Sequence, residues 1–144
     1  MKPLPHAYTV NAAADAEGSV RLTSHDLPAL DSAPPREFDG PGDLWSPEEL
    51  LLASIADCFV LTFRAVARAS KLSWRSIDVR ADGVLARVER VTRFTEITLH
   101  AALTADATDT PEDKMRRLLE KAEEGCLITR SLAVPVQLEA RILR

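Results

Sequence analysis

The chain has 144 residues, 46% hydrophobic and 28% charged, with a formal net charge of −4. A length of this order buries roughly two-thirds of the unfolded surface, which leads us to expect one globular domain over residues 1–144 with a real core. Acidic and basic residues are interspersed without a basic stripe, and neither an apolar N-terminal stretch nor an uninterrupted run of about 18 apolar residues occurs, so the expectation is a cytoplasmic protein with no nucleic-acid partner and no membrane.

Tyr8 to Ala14 and Val20 to Thr23 read as strands of a hairpin turning at Glu17-Gly18. Residues 27–45, LPALDSAPPREFDGPGDLW, carry four prolines and two glycines, which break helix and strand alike. A loop of that length in a small domain is often functional.

The next segment, SPEELLLASIADCF, announces a helix. Ser46 can cap it, Pro47 suits its first position, and Glu49 completes an S-x-x-E capping box. Acidic charge there also complements the positive end of the helix dipole. Leu50, Leu51, Ser54, Ile55, Cys58, Leu61, Thr62 and Ala65 recur at helical spacing, which places Cys58 on the stripe expected to be buried.

Trp74 to Val88 and Phe94 to Ala105 read as long strands. Ile97, Leu99, Ala101 and Leu103 alternate with more polar positions, including His100, which is therefore expected to be solvated. Asp82-Gly83 could turn a hairpin or bulge one long strand, and the bulge is preferred. A second helix opens at Thr110, carries Met115, Leu118, Leu119 and Ala122 on one face and stops at Gly125. Cys126 follows at once, and CLITRSL could restart a short helix whose first turn would favour a thiolate at Cys126. Val134 to Leu143 closes the chain as a strand.

The two cysteines, Cys58 and Cys126, form no CxxC pair, and the three histidines are scattered, so the spacings of a zinc site are missing and no metal or cofactor is expected. A thiol in a reducing compartment is most often simple packing material. Here, however, one lies on a helix face and the other at a helix junction.

PEELLLASIADC (47–58) resembles the central-helix signature of the OsmC/Ohr family, the osmotically inducible and organic hydroperoxide resistance proteins, and EKAEEGCLIT (120–129) is similar to its second cysteine segment. The resemblance runs from about residue 8 to 142. It implies an α+β fold of antiparallel sheets wrapped around a long central helix, assembled as an intertwined homodimer. It also implies reduction of organic hydroperoxides. Cys58 would attack the peroxide, Cys126 would close a disulfide on it, and a dithiol reductant would restore both. The alternative within the same fold is a dimer that binds a hydrophobic ligand or senses oxidation without efficient turnover.

The family motif carries a glutamate ten residues before its first cysteine, which is Glu48 here. Ten residues of helix span roughly 15 Å, so Glu48 either acts on the other subunit's Cys58 or through an intermediary, or simply complements the dipole in the first helical turn. The family's peroxidases hold an Arg before the hairpin turn, where this chain has Ala16. Arg36 is the preferred substitute over Arg21 and is expected to approach Cys58 paired with Glu48. Two other departures are Asp57, whose carboxylate would tend to raise a neighbouring thiol's pKa, and Leu127, which stands where the family has Pro, while Thr129 keeps the family's hydroxyl. Leu50, Leu51, Leu52, Ile55, Phe59, Val60 and Phe63 make the central helix apolar around much of its circumference, which calls for a partner surface.

Overall fold

In the computed structural model, which describes residues 1–106 and 109–144, the chain forms two compact units, Met1–Leu50 and Leu51–Arg144. The first holds a three-stranded antiparallel sheet of β1 (Asn11–Ala13), β2 (Val20–Thr23) and β3 (Leu30–Ser32), in that order. β1 is shorter than the Tyr8–Ala14 expected, because its pairing with β2 runs only from Asn11 opposite Thr23 to Ala13 opposite Arg21. Gly18 turns the hairpin at φ +97°, a value that L side chains rarely adopt. β3 was hidden inside the Pro-rich loop. Trp45 fastens the loop's end to β3: the Ala33 N–H donates to its carbonyl at 3.0 Å, and Ser32 bridges to it. Between them Arg36–Phe38 make one 3₁₀ turn closed by Asp39 in the left-handed region.

Helix α1 (Pro47–Ala69) starts as its sequence dictates. The Glu49 N–H donates to Ser46 Oγ at 3.2 Å, and the Ser46 hydroxyl donates to the Glu49 carboxylate at 2.8 Å. At the other end Lys71 adopts φ 55°, the Leu72 N–H reaches the Ala67 carbonyl and the Lys71 N–H that of Arg68, which is a Schellman stop made without glycine.

In the second unit β4 (Trp74–Val88) and β5 (Val91–Ala105) form one long hairpin. Its two-residue turn is Glu89-Arg90, both at positive φ. Asp82-Gly83 does not turn the chain: the register runs through it, and the nearer of the ladder's two irregularities falls between Val84 and Leu85, the other lying between Trp74 and Ser76. Gly83 is there for space, since a Cβ would stand 2.8 Å from the Phe94 ring and 2.9 Å from Leu52 of α1. Helix α2 (Glu112–Glu124) follows, then α3 (Leu127–Arg130) and β6 (Val136–Leu143).

β6 pairs parallel to β5, so this sheet is mixed rather than purely antiparallel. The two helices between β5 and β6 supply the long crossover that a parallel pair requires. One face of β5, Ile97, Leu99, Ala101, Leu103 and Ala105, meets Ile55, Phe59, Phe63 and Ala67 of α1 and Met115, Leu118, Leu119 and Ala122 of α2 in a single core. Phe63 and Trp74 close one end of it edge to face, with ring centroids 5.2 Å apart.

The buried line of α1 is therefore Ile55–Phe59–Phe63–Ala67, not the stripe expected from the spacing. Leu61 is 53% exposed, Ala65 is exposed and Cys58 is half-buried. A helix apolar on most sides does not announce which side its own sheet will cover. By length and composition α1 could also cross a membrane, a property shared by core helices covered on several sides. On the opposite face of the sheet, His100 is held between two carboxylates, Asp82 Oδ2 at 3.0 Å and Glu139 Oε2 at 3.1 Å, and is less solvated than expected.

Candidate active site

Cys58 lies in the middle of α1, at the edge of its buried line. One turn later the Thr62 hydroxyl donates to the Cys58 carbonyl at 2.7 Å and stands 3.9 Å from its sulfur. Gly125, which ends α2, is laid against Thr62. Its φ of −90° is ordinary, and a Cβ added there would stand 3.5 Å from the Thr62 methyl. This contact brings the α2–α3 junction onto α1 beside Cys58.

At that junction Cys126 is the N-cap of α3, in extended conformation and fully buried. Leu127, Ile128 and Thr129 then begin the next helix, whose first N–H groups have no carbonyl of their own. The Arg130 N–H closes the turn on the Cys126 carbonyl at 3.0 Å. Both thiols are free.

The electrostatics of the two sulfurs diverge. Burial pushes the Cys58 thiol up, but the Ile128 N–H, the Cys126 thiol, the Thr62 hydroxyl and the Leu127 N–H all act on it, and together they hold it below the ordinary thiol value. Burial also pushes Cys126 up. The Thr129 hydroxyl and N–H oppose that, Cys58 reinforces it, and Cys126 ends above the ordinary value. Of the α3 amides, those of Leu127 and Ile128 thus serve Cys58, while only that of Thr129 serves Cys126, as the sequence suggested. The pair is differentiated into an incipient thiolate, half-buried, and a protonated partner with no solvent exposure. That is the arrangement needed for one sulfur to attack an electrophile and the other to follow.

Asp57 is exposed, and it is not among the groups that shift Cys58. Glu48 and Arg36 belong to the first unit. Glu48 lies in the first turn of α1 with Oε2 buried and unpartnered among the described residues. Arg36 is exposed, its side chain runs across Gly42, and it makes no ion pair among the described residues. Within one chain, then, Arg36 and Glu48 are not paired. Arg21 is engaged elsewhere, 4.0 Å from Asp31. Sequence reasoning expected the first-turn amides of α3 to favour a thiolate at Cys126, and missed that those of Leu127 and Ile128 reach Cys58 instead; it also missed the role of Thr62, whose spacing four residues after Cys58 could have revealed it.

Comparison with known proteins identifies the family. Residues 40–141 match the family described as OsmC-like protein. The uncharacterized protein YmaD of Bacillus subtilis (strain 168) is 31% identical over 113 residues, covering 75% of each chain. Among solved structures, an OsmC-like protein of unknown function from Vibrio cholerae superposes with a TM-score of 0.87 at 16% identity, covering 94% of this chain and 99% of the other. An organic hydroperoxide resistance protein OsmC from Legionella pneumophila gives a TM-score of 0.77 at 26% identity, covering 99% of this chain and all of the other. With the α+β architecture, the long helix and the family match over most of its length, the chain belongs to the OsmC family.

Proposed function

We propose that this protein is a two-cysteine thiol peroxidase that reduces organic hydroperoxides. The observation that carries the reading is the contact between Cys58 and Cys126, with the Cys58 sulfur held below the ordinary thiol value by the amides of α3. The Legionella pneumophila relative, described as an organic hydroperoxide resistance protein, supports the same class of substrate.

In this scheme the Cys58 thiolate attacks the outer oxygen of R–O–O–H. An S–O bond forms, the O–O bond breaks, and the alkoxide leaves as the alcohol after taking a proton. Cys58 is now a sulfenic acid. The Cys126 sulfur attacks it, the S–S bond forms and hydroxide departs as water, carrying the proton of Cys126. A dithiol reductant reverses the disulfide.

The missing Arg at the hairpin leaves open two tasks that the family resemblance implies, stabilising the thiolate and pairing with Glu48. Donors on α3 take over the first, stabilising the thiolate. For the second we assign Arg36 and Glu48 as an ion pair that completes the site in a homodimer. A buried carboxylate oxygen without a donor and a guanidinium without a counter-ion, both among the described residues, support that assignment. An apolar environment favours alkyl and aryl hydroperoxides over hydrogen peroxide, since buried apolar area contributes about 25 cal/mol per Å² and hydrogen peroxide has none.

Turnover with a dithiol reductant tests the reading. Cumene hydroperoxide should be consumed much faster than hydrogen peroxide. Equal and slow consumption of both, with thiols that persist, would favour the hydrophobic-ligand alternative.

A further inference from the structure

Two threonines accompany the two cysteines, and they use their hydroxyls differently. Thr62 gives its proton to the backbone carbonyl one turn back, at 2.7 Å, the usual habit of threonine in a helix. Thr129 does not. Its hydroxyl donates to the Cys126 sulfur at 3.4 Å, with Cys126 fully buried and Thr129 6% exposed. A buried hydroxyl spent on a sulfur, a weak acceptor while protonated, gains most when that sulfur is charged.

We propose that the Thr129 hydroxyl is the positioning group that stabilises the negative charge developing on the Cys126 sulfur, as it attacks oxidised Cys58 and again as it is released by the reductant. This rests on the two-cysteine reading above. In the closing step Cys126 loses its proton to the departing hydroxide while the S–S bond forms and the S–O bond breaks. Burial opposes the negative charge that develops on Cys126, and no cationic side chain is among the groups acting on it. Thr129 supplies the stabilisation that is otherwise absent.

The return step uses the same group. Of the two sulfurs only Cys58 lies on a half-buried residue, so the reductant thiolate attacks Cys58 and forms a mixed disulfide there. The S–S bond breaks and Cys126 leaves as a thiolate, which then takes a proton. A better stabilised leaving sulfur departs faster.

The test uses the full chain with Thr129→Val, which keeps the shape and loses the donor, and Thr129→Ser, which keeps the donor. After one equivalent of cumene hydroperoxide, the Val variant should close the disulfide roughly tenfold more slowly than wild type, the worth of one hydrogen bond to a charged group, and the slowing should exceed that of sulfenic acid formation. The Ser variant should close near the wild-type rate. Closure by the Val variant at the wild-type rate, or a Ser variant as slow as Val, would overturn the assignment. A second measurement needs no peroxide. In Cys58→Ser protein, the ultraviolet thiolate absorbance of Cys126 should titrate at higher pH with Thr129→Val than without it, and an unmoved midpoint would also overturn the proposal. Should the wild type form no disulfide with hydroperoxide, the peroxidase reading falls, and the titration still decides the role of Thr129.

Discussion

Cys126 caps α3, and its thiol acts on the sulfur of Cys58 together with the Leu127 and Ile128 amides of the turn it caps. The residue that would resolve the oxidised cysteine thus also begins the helix that activates it. Any change at the cap alters both halves of the cycle. Cys126→Ala should therefore raise the Cys58 pKa as well as prevent disulfide closure, and pH-dependent alkylation of Cys58 in the two proteins reads the shift.

The direction of the pH dependence follows from the two sulfurs' opposite displacement. A thiol held below its ordinary value is ionised over a pH range in which a free thiol is not, so Cys58 should alkylate with a midpoint below that of an unassisted thiol. Cys126 should alkylate above it, and more slowly because it is buried. Peroxide consumption should rise with pH through the Cys58 midpoint and then level off. A rate that keeps climbing after Cys58 is fully ionised would assign the chemistry to a different group.

Leu127→Pro removes one amide that acts on Cys58 while leaving the first position of α3 compatible with the helix. The variant should fold. Its Cys58 should alkylate at higher pH than wild type, and peroxide reduction at neutral pH should fall several-fold. A proline variant with wild-type alkylation would show that the Ile128 amide suffices.

Arg36→Ala should reduce peroxide turnover far more than Arg21→Ala, because Arg21 is occupied with Asp31 at the surface and Arg36 has no ion pair among the described residues. Glu48→Gln should resemble Arg36→Ala, and the double variant should be little worse than either single one, as expected of residues that act as a pair. Steady-state rates with cumene hydroperoxide check the cycle. Additive losses would separate the two residues.

The exposed apolar surface of α1, Leu61 included, calls for a second copy of the chain. Light scattering at micromolar concentration should give a dimer mass, and Leu61→Glu should weaken the dimer. An interface of well over 2,000 Å² is expected, as in obligate dimers. Ser46→Ala, by contrast, should leave assembly alone and cost about 1 kcal/mol in unfolding free energy, since it removes the hydroxyl that satisfies the Glu49 N–H.

What could be read in advance follows a physical pattern. Ser46, Pro47 and Glu49 fixed the start of α1 because capping is local chemistry, and Met115, Leu118, Leu119 and Ala122 fixed the buried face of α2 because its other faces are charged. α1 gave no such contrast, so the periodicity chose the wrong line and Cys58 emerged half-buried. The Glu89-Arg90 turn carries neither Gly nor Asn to mark its positive φ angles, and the parallel pairing of β6 depends on a crossover that no short pattern reports. At the site both cysteines were legible as residue types. The donors that tune Cys58 are mostly main chain, and main-chain donors have no letter in a sequence.

The most direct test of the central claim is to map the thiols after reduced, full-length protein has met one equivalent of cumene hydroperoxide. The account predicts loss of both free thiols within the time of mixing and a single linked peptide pair joining Cys58 to Cys126, formed within one chain. Free thiols that persist, or a disulfide joining Cys58 to any other sulfur, would contradict it.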